Sequence, residues 1–88
     1  MKMPRALTLQ RSIVPANDRK KFLDKLGKRH SYYAAAKCTH WVFEEADLPG
    51  AFLEFIEAPD GETLAAALAE APDPVVDRGR IYREVELG

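Results

Sequence analysis

From Arg5 to Val14 the chain alternates, with Leu7, Leu9 and Ile13 pointing one way and Thr8, Gln10 and Ser12 the other. That period of two predicts a strand, and Pro15, which cannot donate to a ladder, ends it. Asn17 suits a helix N-cap, with Asp18 favourable in the first turn. Phe22, Leu23, Leu26, His30, Tyr33 and Ala34 then recur at helical spacing to about Ala36. Lys20, Lys21, Asp24, Lys25 and Lys28 fill the remaining surface, and the basic residues of this helix read as a solvated face. Gly27 lies inside it at a cost of roughly 1 kcal/mol relative to alanine, so the helix either approaches something closely there or leaves space beneath.

Alternation returns from Cys38 to Glu45 and again from Ala51 to Ala58, separated by the turn Asp47-Leu48-Pro49-Gly50. The two runs predict a hairpin. After Pro59, Asp60 is placed to cap a second helix reaching about Ala71, with Leu64, Ala67, Leu68 and Ala71 on its apolar side. Pro72, Asp73 and Pro74 stop it, and Arg80 to Leu87 predicts a last strand. The order strand, helix, strand, strand, helix, strand is that of an α+β ferredoxin-like domain: βαββαβ, a four-stranded antiparallel sheet with two helices on one face. One domain spans residues 1–88.

The pattern leaves a surplus of apolar surface. Odd-numbered positions collect Leu7, Leu9, Ile13, Trp41, Phe43, Leu53, Phe55, Ile81, Val85 and Leu87, and this face is expected to be the monomer core under the helices. The even-numbered face still carries Val14, Val42, Phe52, Ile56 and Tyr82 among polar residues, with no third helix to cover it. Soluble monomers seldom leave such a patch wet. A two-fold partner stacking sheet on sheet is therefore expected, giving a homodimeric α/β barrel through the helix-free face. The alternative is a monomer with a half-polar solvated face, which antiparallel sheets tolerate.

Size and charge sharpen this. A chain of 88 residues buries only roughly 60–65% of its unfolded surface and gains from a partner. A net charge of −1 gives no bias toward nucleic acid or an anionic membrane. Cys38 is the only cysteine, which rules out an internal disulfide and any paired-cysteine metal or redox motif. The N-terminal stretch reads as no signal peptide, and no apolar run spans a bilayer, so a cytoplasmic location is expected. The two histidines and scattered carboxylates form no metal motif, and there is no glycine-rich phosphate loop. RNA-recognition domains share the element order, but Ala51 to Ala58 lacks their basic, glycine- and aromatic-rich signature.

Several segments together carry a family resemblance: Ile13-Val14-Pro15-Ala16-Asn17, Trp41-Val42-Phe43-Glu44, Pro49-Gly50-Ala51-Phe52-Leu53-Glu54-Phe55 and Pro59-Asp60-Gly61-Glu62-Thr63-Leu64. Over nearly its whole length the chain resembles the antibiotic-biosynthesis-monooxygenase-like family of dimeric α+β barrels. That resemblance implies the ferredoxin-like fold and the barrel-forming homodimer. It leaves the activity open among cofactor-free oxygenases of aromatic polyketides, haem-degrading enzymes, small isomerases and proteins of unknown role. Haem-degrading members use an early asparagine and a histidine on the second helix. Here Gln10 stands in the first region and no histidine lies between Asp60 and Ala71, which argues against haem and leaves no cofactor expected.

Two places are candidates for chemistry. One lies between sheet and helices, where Trp41, Phe43, Phe55 and Tyr33 would line a pocket for a small aromatic or apolar ligand, with His30 as its base. The other is the even face. Pairing Glu44 with Phe52 sets Val42 opposite Glu54 and His40 opposite Ile56, so His40 and Glu54 become diagonal neighbours whose side chains can meet. Gln10 and Tyr82 could complete a polar cluster there. His30, His40 and Glu54 are thus the candidate catalytic residues. Plain core packing of the aromatics, and a structural hydrogen-bond network within a non-catalytic dimeric module, are the alternatives.

Overall fold

The computed structural model describes residues 4–72 and 80–88. Its elements run β1 (Ala6–Ile13), a 3-10 turn (Ala16–Asp18), α1 (Arg19–Ala35), β2 (Thr39–Glu44), β3 (Ala51–Ala58), α2 (Gly61–Glu70) and β4 (Tyr82–Arg83). The four strands form one antiparallel sheet in the order β2-β3-β1-β4. The fold is ferredoxin-like, α+β. Asp73 and Pro74, expected to help stop α2, lie outside the described residues.

Local chemistry accounts for the joints. The hairpin turns at Gly50, whose φ of +93° and whose missing Cβ, which would fall 2.5 Å from the Val14 carbonyl oxygen, both demand glycine. Helix α1 ends with Lys37 at φ 65°. The Cys38 N–H donates to the Tyr33 carbonyl (2.8 Å) and the Lys37 N–H to that of Ala34 (3.2 Å), the paired bonds of a Schellman ending with lysine where glycine is usual. Helix α2 starts as expected, with the Asp60 carboxylate accepting from the Thr63 N–H at 2.7 Å. Helix α1 starts differently. Asn17 falls inside the 3-10 turn, and the chain enters the helix through the Asp18 N–H to Pro15 carbonyl bond (2.9 Å) rather than through a side-chain cap. The last strand is only two residues long, and a bidentate contact from Arg5 to Glu84 (3.0 and 3.3 Å) holds it against β1.

Helix α1 lies over β2 and α2 over β3 and β1, and the face they cover is the even one. Ala6, Thr8, His40, Phe52, Glu54, Ile56 and Ala58 are buried, packed with Tyr33, Leu64, Ala67 and Leu68 from the helices. The odd positions Leu9, Ile13, Trp41 and Phe43 are exposed, Trp41 at 48% and Phe43 at 57%. The expected assignment of the odd face to the monomer core is therefore reversed for β1, β2 and β3. Bulk was a poor guide: beneath α2, alanines, a threonine and one isoleucine let the helix approach closely, and although Phe52 lies on the covered face, Trp41 and Phe43 stand on the open side. Parity also switches at β4. Tyr82 pairs with Leu7 and joins the open face, whereas Ile81 packs against the core.

Candidate functional site

Glu54 lies in the middle of β3, the most apolar strand, and its register puts it under α1. One helical row, Leu26-Arg29-Tyr33, is the buried side of α1, so Arg29 faces the sheet with the apolar residues. Its Nε and Nη2 donate to Glu54 Oε2 (2.8 Å) and Oε1 (2.9 Å), a two-pronged ion pair whose side chains are 7% and 3% exposed. The Gln10 amide adds a longer bond to Oε1 at 3.3 Å. Arg29 was expected on a solvated face. The signal that could have placed it was its spacing, three residues after Leu26 and four before Tyr33, opposite a glutamate on the even face of a mostly apolar strand.

The hairpin register is the one the sequence suggests, Glu44 opposite Phe52 and His40 opposite Ile56, and it brings His40 to Glu54. His40 Nε2 lies 2.6 Å from Glu54 Oε2, with both side chains buried. Burial pushes the Glu54 carboxyl up. Hydrogen bonds from His40 and Arg29, together with the Arg29 charge, outweigh that and hold it below its ordinary range. An ionised carboxylate only accepts, so His40 Nε2 carries the proton of this bond. In neutral His40 the other nitrogen, Nδ1, is then a bare acceptor. It sits 3.1 Å from His30 Nδ1, which must be the donor. The order is Glu54 carboxylate, His40, His30, and it leaves His30 Nε2 as an unprotonated ring nitrogen on an exposed residue.

This chain of groups opens into a groove of about 420 Å³ between α1 and the edge strand β2. Leu23, Leu26 and Gly27 form its helix wall, Val42 and Phe52 its sheet wall, and His30 and His40 sit within it. Glu44 forms the far end. Arg19 grips that carboxylate at 2.6 and 2.9 Å and the Gly50 N–H adds 2.8 Å, so hydrogen bonds hold Glu44 down at about 2, ionised and engaged. Tyr33 stacks on His40 from the interior side, with centroids 5.9 Å apart and planes 18° apart. Its hydroxyl is one of two buried side-chain oxygens without a partner among the described residues, Thr8 Oγ1 being the other. Burial pushes the Tyr33 phenol up to about 12.

The expected residues are thus sorted differently than the sequence suggested. His30 and Tyr33 join His40, Glu54 and Gln10 on the helix side, while Trp41, Phe43 and Phe55 stand on the opposite face and line no pocket with them. Phe43 and Phe55 pack edge to face at 5.9 Å on that open face, and Tyr82 is there too, away from Glu54. Another hollow, about 600 Å³, opens beside Trp41 between Arg5, Lys37, Glu57 and Asp60. Its carboxylates are tied to Arg5 and to the α2 cap, so it presents no unengaged base. Among the described residues no cluster could hold a metal ion, and no helix is long and apolar enough to cross a membrane. The chain matches no protein-family model, no curated protein and no solved structure.

Proposed function

We propose that this chain is a small homodimeric protein that takes a small apolar or aromatic molecule into the α1–β2 groove and removes a proton from it with His30. The observation that carries this reading is the run of contacts from Glu54 to His40 (2.6 Å) and from His40 to His30 (3.1 Å), reaching an apolar groove. Removing a proton from a carbon next to a carbonyl needs a base in reach, oriented by a partner, and an apolar wall for the substrate body. The proton passes to His30 Nε2, and the electron pair stays on the substrate as an enolate. Where a neighbouring carbon–carbon double bond extends that enolate, return of the proton from His30 to the far carbon completes an isomerisation. The same anion is the species that cofactor-free oxygenases of the antibiotic-biosynthesis-monooxygenase-like family present to dioxygen, so the resemblance and the groove point to one opening step.

The dimer is part of this proposal. Leu9, Ile13, Trp41 and Phe43 form an exposed apolar face on the helix-free side of the sheet, and a second copy stacked there would shelter it. A non-catalytic dimeric module would show the same open face, and the paired imidazoles at the apolar groove favour the first reading.

Deuterium exchange at the carbons next to the carbonyl of 2-tetralone, followed by NMR, tests the proposal. Wild type should accelerate exchange beyond imidazole at equal concentration. His30→Ala should lose that advantage by roughly 10²–10⁴-fold, the usual worth of a positioned base. Exchange no faster than with imidazole would refute it.

A further inference from the structure

We infer that Gly27 sets the thickness of molecule the groove accepts, an inference that rests on the groove being the ligand site. Glycine weakens a helix interior relative to alanine, so its presence there calls for a reason. Backbone geometry supplies none, because Gly27 is not among the positive-φ residues. Packing supplies none either, since a Cβ built on Gly27 meets nothing within 4 Å. Both ordinary reasons for glycine are absent.

What remains is the space itself. Gly27 lines the groove with Leu23 four residues before it and His30 three residues after it, a single row along the helix wall. Side chains on a helix lean toward its N-terminus, so any side chain at position 27 would lie along the stretch between Leu23 and His30. Val42 and His40 of β2 line the same groove. The missing side chain therefore leaves room for a ligand of ring thickness lying along β2, its reactive carbon at His30 and its apolar body toward Leu23 and Phe52. A leucine there would narrow the groove while leaving the imidazoles, Glu54 and Arg29 untouched. The class of ligand implied is a fused or substituted ring ketone or phenol rather than a small open-chain carbonyl compound.

The experiment compares Gly27→Ala and Gly27→Leu with wild type, using 2-tetralone as the broad probe and acetone as the slender one. Binding is read from the Val42 amide resonance, exchange from deuterium uptake, and folding from the melting temperature. Both variants should melt higher than wild type. Gly27→Leu should bind 2-tetralone at least tenfold more weakly, with the ratio of tetralone to acetone exchange falling at least tenfold, and Gly27→Ala should fall between. Unchanged tetralone binding in Gly27→Leu, or a lowered melting temperature in Gly27→Ala, would overturn the inference while leaving the groove site standing. Absence of tetralone binding in wild type would remove the groove site, and this inference with it.

Discussion

Replacing Glu54 with glutamine removes one negative charge from under α1 and almost no volume. Arg29, only 7% exposed, then loses its two-pronged ion pair with Glu54, while His40 loses the acceptor that orders its ring. Breaking a buried pair by removing one partner costs about 3–5 kcal/mol. Glutamine retains one carbonyl oxygen for the guanidinium, which puts the expectation near ~3 kcal/mol. A chain of this length has on the order of 4–13 kcal/mol of total stability at 0.05–0.15 kcal/mol per residue, so the loss is a large share of it. Urea unfolding at neutral pH measures it as a lower midpoint at unchanged slope. The pH dependence supplies a second reading. A carboxyl held below its ordinary 4.5 contributes stability that is present above that value and lost as pH falls toward its native-state value. Wild type should lose this contribution in acid and Glu54→Gln should lack it. A Glu54→Gln stability within about 1 kcal/mol of wild type at neutral pH, with an unchanged acid limb, would refute the account of this pair.

Other consequences follow from single contacts. Tyr33→Phe removes a buried hydroxyl without a partner and should raise stability by about 1 kcal/mol in thermal or urea unfolding. Because burial pushes the Tyr33 phenol up to about 12 from an ordinary 10.0, wild-type stability is unaffected by this group below 10 and falls as pH rises from there toward 12. Phenolate absorbance should show one of the three tyrosines ionising last, and Tyr33→Phe should abolish that step. Lys37→Gly relieves a left-handed backbone and should stabilise by about 1 kcal/mol, read in the same unfolding assay. Gly50→Ala drives a Cβ against the Val14 carbonyl and should destabilise by about 2 kcal/mol or more. Phe43→Glu should leave the fold intact, and in sedimentation should turn a wild-type dimer into a monomer; a monomeric wild type would refute the proposed partner.

Element order was legible because alternation and helical spacing are local signals, and so was the hairpin register, since the turn at Pro49-Gly50 leaves few ways to pair Glu44 with Phe52. The choice of covered face was not legible from hydrophobic weight. A helix docks closely where side chains are small, so Ala6, Thr8 and Ala58 beneath α2 outweighed Trp41 and Phe43. Polar residues at Glu54 and His40 suggested an open face, yet Arg29 satisfied them from the helix, a pairing visible only once both elements are considered together. His40 beside Glu54 followed from cross-strand geometry. His30 meeting His40 rather than Trp41 did not, because it depends on which side of the sheet α1 lies. The shortness of β4 reflects its position at the sheet edge, where two ladder pairs and the Arg5–Glu84 contact are what hold it.

The proton arrangement of the two imidazoles is the point on which the proposed chemistry turns, and ring-nitrogen NMR correlations at alkaline pH read it directly. His40 should carry its proton on Nε2 toward Glu54, and His30 should carry its own on Nδ1 with Nε2 bare. Finding His40 protonated on Nδ1 instead, with a bare Nε2 against the Glu54 carboxylate, would contradict the account.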